Sequence, residues 1–180
     1  MDIIIEKLTT KNFTAHSLDD FRRRQQVTEV WRRTENGMKL VRQPFIDDWD
    51  PELCRNVAAR MLGNLERGYF GTGAFGGGKL IGWTFYGSEL IGERQNYVEL
   101  HMFHVSEPYR GMGIGRRLFE ASLPLVRETG AQRIFISAHS AKESQAAYRA
   151  LGCVPAREFF REAAESEPFD IQLEFDLTKG

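Results

Sequence analysis

The sequence predicts an α/β fold of the α+β kind, in one domain spanning residues 1–180, and three observations predict it. The chain has 180 residues, enough for one sizeable hydrophobic core and short for two. Three aromatic or β-branched runs follow one another between Tyr69 and Val105, parted by turn residues, which reads as neighbouring antiparallel strands. A glycine-rich strand-to-helix turn then opens at Arg110, and helical and strand spacing alternate beyond it.

The elements follow in order. Asp2 to Leu8 is rich in isoleucine and reads as a strand. Leu18 to Arg33 reads as a helix that Ser17 caps, with Asp20 three residues on. Asp50-Pro51-Glu52 is a sharper start, an N-cap followed by proline at the first helical position, and that helix should run to Glu66 and stop at Gly68. Tyr69–Phe75, Leu80–Tyr86 and Tyr97–Val105 are the three strands, the first two joined by a turn at Gly76-Gly77-Gly78. Gly113 to Glu128 carries Ile114, Leu118, Ala121 and Leu125 on one stripe, with Pro124 predicting a kink. Arg133–Ala138 is a short buried strand, and Glu143–Leu151 a helix stopped by Gly152. Val154–Phe160 and Phe169–Leu177 close the sheet, joined by the solvated acidic stretch Glu162–Glu167. No internal repeat, low-complexity segment or Pro/Gly/Ser-rich linker divides the chain.

Composition excludes several function classes. Lys plus Arg total 24 against 25 for Asp plus Glu, a formal net charge of -1, so there is no global basic field for nucleic acid and any anion site must be local. No apolar run approaches a membrane span, and the N-terminus resembles no signal peptide, so the expectation is a cytoplasmic protein with no membrane partner. Cys54 and Cys153 form no CxxC or Cys/His cluster and read as core thiols, and no metal site is expected.

Arg110-Gly111-Met112-Gly113-Ile114-Gly115-Arg116-Arg117 is the most informative segment. A glycine-rich turn into a helix leaves N–H groups unpaired at the positive end of the helix dipole, which makes a phosphate cradle, and three arginines add to it. A Walker A loop needs Gly-Lys-Ser/Thr, which is absent. A dinucleotide fingerprint starting at Gly111 finds Arg116 where its last glycine belongs.

Arg110-Gly111-Met112-Gly113-Ile114-Gly115 resembles the Arg/Gln-x-x-Gly-x-Gly/Ala motif of the GCN5-related N-acetyltransferase superfamily. The resemblance extends to Val105-Ser106-Glu107-Pro108-Tyr109 before it and to Tyr148-Arg149-Ala150-Leu151-Gly152-Cys153 after it, and covers Tyr97 to Cys153 in detail. It implies a mixed, mostly antiparallel sheet whose parallel central strands splay apart, flanked by helices, with acetyl-coenzyme A in the cleft as co-substrate. By similarity the backbone of Phe103 and Val105 would meet the pantetheine arm, and Arg110, Gly111, Met112, Gly113, Ile114, Gly115 and Arg116 the pyrophosphate. Two positions depart from the pattern. Ala141 stands where the family often has a cofactor-binding asparagine, with Ser140 and Ser144 as substitutes, and Cys153 replaces a phenylalanine.

Amine acetylation needs a neutral amine and a proton for the departing thiolate. Alternation along Tyr97–Val105 puts Glu99, His101, Phe103 and Val105 on one face of a central strand. A carboxylate there is functional or salt-bridged. Glu99 also occupies the position of the general base in the histone acetyltransferase branch, so it is read as that base or as the partner of a neighbouring arginine. His101 points the same way. Tyr148, by resemblance, faces the coenzyme sulfur and donates the proton. Asp47, Asp48 and Asp50 lie before the second helix, in a region that borders the acceptor pocket in this superfamily, and would favour a cationic acceptor. The expected function is an acetyl-coenzyme A-dependent N-acetyltransferase acting on a primary amine of a small molecule by direct attack. A protein or peptide amine, and a non-catalytic acyl-coenzyme A sensor, are the alternatives. The oligomeric state is open, a homodimer included.

Overall fold

The structure, a computed structural model, describes residues 2–179. Its strands are β1 (Ile3–Lys7), β2 (Arg24–Thr34), β3 (Gly37–Asp48), β4 (Phe70–Gly76), β5 (Lys79–Ile91), β6 (Tyr97–Val105), β7 (Arg133–Ala138), β8 (Val154–Pro155) and β9 (Ile171–Asp176). The helices are α1 (Pro51–Glu66), α2 (Ile114–Glu128), α3 (Lys142–Ala150) and α4 (Arg161–Ser166). Seven strands form one sheet in the order β1-β4-β5-β6-β7-β9-β8, antiparallel throughout except for the parallel pair β6–β7. β2 and β3 form a separate two-stranded ribbon.

Alternation along β5 sorts the core onto two faces. Trp83 and Phe85 pack with Val57, Ala58 and Met61 of α1, whereas Tyr86 packs with Phe119 and Val126 of α2. Each of these fully buried aromatics contributes roughly 1.5–3 kcal/mol of hydrophobic free energy. α1 begins as its sequence says. The Asp50 carboxylate accepts the Leu53 N–H at 2.7 Å, and Pro51 opens the first turn. Gly77 and Gly78, at φ +59 and +75, make the two-residue turn between β4 and β5.

The helix expected over Leu18–Arg33 is not formed. Residues 18–20 are turns and Arg24–Thr34 is the strand β2. Its buried residues, Val27 and Val30, are three apart, which imitates helical spacing. The spacing arises because the ribbon slips by one residue. Val27 pairs with Phe45 and Glu29 with Arg42, so Gln43 and Pro44 supply extra length on β3, where proline has no N–H to give the ladder. The return strand β3 carried no expectation at all, although Asn36-Gly37 is a hairpin signal and Gly37 takes φ +98. At the C-terminal end, Arg161–Ser166 is the short helix α4 where a connection was expected, and the strand expected over Val154–Phe160 reduces to β8. α2, α3 and β9 keep their expected places within a few residues, with Pro124 inside α2.

The ribbon lies across the C-terminal ends of β6 and β7. The Arg110 guanidinium donates to the Arg24 carbonyl at 2.6 Å on one side, while Trp31 N–H donates to the Ser140 carbonyl at 2.8 Å and Val30 bridges to Ala141 on the other.

Candidate active site

The parallel register of β6 and β7 lasts three residues, Tyr97–Arg133, Val98–Ile134 and Glu99–Phe135, and then stops. β7 continues instead with β9 on its other edge, from Ala138–Ile171 to Arg133–Asp176. The edge of β6 from Leu100 to Val105 therefore faces a gap, which opens as a cleft of about 650 Å³ reaching from Gly115 past Tyr148 to Ser137, His139 and Asp170.

A bulge decides which side chains share a face here. Phe85 pairs with Met102 but Tyr86 with Leu100, so His101 is an extra residue on β6. Val98, Leu100 and Phe103 consequently pack on the α2 and α3 face, while Met102 packs with Trp83 and Phe85 on the α1 face. The single face expected for Glu99, His101, Phe103 and Val105 is thus split. Glu99 and His101 lie on the α1 face, with Glu99 Oε2 3.5 Å from His101 Nε2 and the His101 ring against Tyr69. Phe103 and Val105 lie on the other, beside Gly115. Glu99 opens into an adjoining depression walled by Phe160 and Glu162, and His101 lines the main cleft.

The glycine loop holds its amides free. Gly111 and Gly113 take φ +77 and +74, and Gly113 caps α2 without a side-chain hydrogen bond. The first N–H of this stretch to find an acceptor is that of Arg117, on the Gly113 carbonyl; among the described residues those of Gly111 to Arg116 have none. Such a row at a helix N-terminus binds an anion. The three arginines contribute less than their charge suggests. Arg110 is a strut, donating to the Val105 carbonyl at 2.9 Å and to that of Arg24. Arg116 donates to the Ala150 carbonyl at 2.6 Å and Arg117 to that of Ile3 at 3.2 Å. Met112 and Ile114 flank the loop, the first exposed and the second buried.

α3 places Tyr148 at the gap. Gly152 at φ +95 ends the helix in a Schellman arrangement, in which Cys153 N–H donates to the Tyr148 carbonyl at 3.0 Å and Gly152 N–H to that of Arg149 at 2.9 Å. The Tyr148 ring meets Phe103 edge-on, and its hydroxyl has no hydrogen-bond partner among the described residues. Burial raises its phenol well above the ordinary range, so it stays protonated. Ser144 lines the cleft with its hydroxyl accepting from Gln25 Nε2 at 3.3 Å. Ser140 does not reach the cleft. It is buried beneath β2, its hydroxyl accepting from Arg32 at 2.6 Å, because the ribbon covers that turn.

The expectation for the aspartates changes. Asp47 pairs with Arg23 at 2.6 Å, Asp48 stands 3.9 Å from Arg24, and Asp50 is a helix cap, so these aspartates are partnered. A half-buried carboxylate without an ion pair among the described residues is Asp170. It lines the cleft, accepts the Ser137 hydroxyl at 3.3 Å, and is raised to about 6, chiefly by burial and then by repulsion from Glu167. No local pattern marks it, since its partner lies 33 residues away and Asp170 reads as a residue within a strand. His104, packed edge-on between Trp49 and Trp83, is lowered to about 3 by burial and by Arg23 and Arg110, and stays neutral. Among the described residues no cluster of three or more His, Cys, Asp or Glu is placed to hold a metal ion, and no helix is long and apolar enough to cross a membrane.

The model of the Acetyltransferase (GNAT) family matches residues 25–153. No curated protein matches the chain. Similar solved structures include nourseothricin acetyltransferase, at 15% identity over 98% of this chain and 99% of that one with a TM-score of 0.70. The PaiA N-acetyltransferase of Thermoplasma acidophilum, in complex with coenzyme A, gives 17% identity, 98% and 99% coverage and a TM-score of 0.63. The ribosomal-protein-S18-alanine N-acetyltransferase of Escherichia coli gives 15%, 98%, 94% and 0.59. At such identities the likeness is one of fold.

Proposed function

The chain belongs to the acetyltransferase (GNAT) family, and from that premise we propose that residues 1–180 form one N-acetyltransferase domain. It moves the acetyl group of acetyl-coenzyme A to a primary amine of a small molecule by direct attack. The observation that carries this reading is the continuity of the cleft, which joins the amide row at the glycine loop to the phenol of Tyr148 and then to a polar chamber lined by His101, Ser137 and Asp170.

The residues present fit the co-substrate. The free N–H groups of Gly111 to Arg116 would take its diphosphate, and the open edge of β6 at Phe103 and Val105, with Ser144 opposite, would flank its pantetheine arm. When bound, acetyl-coenzyme A supplies a thioester carbonyl open to attack. Tyr148, held protonated by burial and free of other partners, gives its proton to the departing thiolate. Glu99, the base expected from the sequence, stands 3.5 Å from His101 and opens into the adjoining depression, outside the lining of the main cleft.

The ribbon favours a small acceptor. It is tied down on both sides of the gap, and its Gln25 and Gln26 wall the cleft on that side. The test is calorimetry with acetyl-coenzyme A, followed by thiol release with a panel of amines. Binding and amine-dependent release are expected. Binding without release would make the protein a sensor, and no binding would refute the proposal.

A further inference from the structure

The acetyl-transfer reading leaves open which group frees the acceptor nitrogen, and the inference here rests on that reading. Asp170 stands where the pairing of β9 with β7 begins, one residue before Ile171 opposite Ala138. Its carboxylate lines the cleft that Tyr148 lines, and Ser137 donates to its Oδ2 at 3.3 Å. Several carboxylates nearby hold cations: Asp47 holds Arg23, Glu107 holds Arg22 and Arg24, and Glu174 holds Arg133 and Arg157, while Glu143 and Glu167, which line the same cleft without an ion pair among the described residues, are exposed and Asp170 is half-buried. Among the described residues Asp170 has no such partner. A carboxylate taken partly out of water with one hydroxyl for company is costly unless it has work to do.

We propose that Asp170 is the catalytic base, accepting the proton of the acceptor ammonium within the cleft while Ser137 holds its carboxylate in place. Asp170 takes one proton from the ammonium and passes it to solvent. The freed nitrogen lone pair forms the C–N bond at the thioester carbon, and the C–S bond breaks with its electrons on sulfur. The thiolate takes the phenolic proton of Tyr148, and the second proton that the acetylated nitrogen sheds restores Tyr148. The net products are amide, free thiol and one proton.

The electrostatic surroundings agree. Burial first, and Glu167 second, raise Asp170 to about 6, with Ser137 opposing. Glu143 and Tyr148 face the cleft from α3, His139 from the turn before it, His101 and His104 from β6, Arg110 from the turn after β6, and Arg23 from the segment before β2. A carboxylate at that value is largely ionised at neutral pH and a better proton acceptor than an ordinary aspartate.

The experiment compares wild type, Asp170→Asn, Asp170→Glu and Glu99→Gln in thiol release from acetyl-coenzyme A, with 1,4-diaminobutane, benzylamine and kanamycin as probes. Asp170→Asn should lower kcat/KM about 100-fold or more at neutral pH and erase the acid limb near pH 6. The deficit should shrink as pH nears the ordinary amine value of about 10, where free amine exists without a base. Asp170→Glu should recover part of the rate, and Glu99→Gln should keep the limb. A second readout needs no turnover: carbon-13 NMR of the unliganded protein should show a carboxyl titrating near 6 that Asp170→Asn removes and Ser137→Ala moves upward. A folded Asp170→Asn with near-wild-type kcat/KM, a loss equal at every pH, or a limb that vanishes with Glu99 would overturn the assignment. No acetyl-coenzyme A binding, or no thiol release with any of the amines, would overturn the proposed function itself.

Discussion

Gly113→Asp puts a carboxylate into the amide row at the start of α2. The fold should survive it. Gly113 sits at φ +74 and an added Cβ meets nothing within 4 Å, so the cost is that of an L-residue in the left-handed region, about 1 kcal/mol. For a chain of this length that is about 2–4 °C in Tm. The effect on binding is larger. Two unit charges 4 Å apart repel by about 1 kcal/mol in water and about 4 kcal/mol at the effective dielectric of a protein surface. Met112, the neighbour of Gly113, is 58% exposed, so the rim is wet, and a value of about 2–4 kcal/mol against a doubly charged diphosphate is reasonable. Acetyl-coenzyme A should therefore bind about 30- to 1000-fold more weakly. Calorimetry measures this, and added salt should narrow the gap because exposed charges are screened. Gly113→Ala carries the backbone cost without the charge and should lose far less. A folded Gly113→Asp of wild-type affinity, or a Gly113→Ala equally impaired, would refute the amide row as the diphosphate site.

Three further outcomes follow from the geometry. Tyr148→Phe removes a hydroxyl with no other partner, so kcat should fall about 10- to 1000-fold in pre-steady-state measurements with little change in acetyl-coenzyme A affinity; unchanged chemistry would reduce Tyr148 to packing against Phe103. Asp170 is raised from 3.8 to about 6 in the folded protein, so the native state binds the proton more tightly and stability falls as pH rises between those values. Asp170→Asn should then be more stable than wild type at alkaline pH, by about 1–2 kcal/mol after allowance for solvent screening, with the advantage gone in acid; urea titrations at both extremes check this. Glu174, fully buried, accepts from the Tyr97 hydroxyl at 2.7 Å and pairs with Arg133 and Arg157. Glu174→Ala strands those donors and should cost about 3–5 kcal/mol in urea unfolding.

The chemistry of this site was largely written in local sequence, while its facing was not. The free amides of Gly111 to Arg116 and the Schellman stop at Gly152 that anchors Tyr148 depend on glycines a few residues apart, and both could be read directly. What could not be read depends on pairing between strands. One slip opposite Pro44 made β2 look helical, and one extra residue at His101 turned Glu99 away from Phe103. A bulge leaves no mark in composition, since it is defined by the partner strand. Asp170 is hidden for the same reason, because its meaning comes from Ser137, reached only when β9 returns beside β7.

The ribbon of β2 and β3 also bears on how the protein is made. Its own ladder is local and needs only a short loop at residues 35–36 to close. The groups that seat it are far along the chain: Arg110 is 86 residues from Arg24, Ser140 is 108 from Arg32, Lys142 is 113 from Glu29, and Ser144 is 119 from Gln25. On the ribosome the hairpin is therefore complete while its seat does not exist. An exposed two-stranded ribbon is marginal in water and offers unpaired edges to other chains until α3 has emerged. The wall that encloses the chemistry is thus among the first parts synthesised and among the last to be fixed in place.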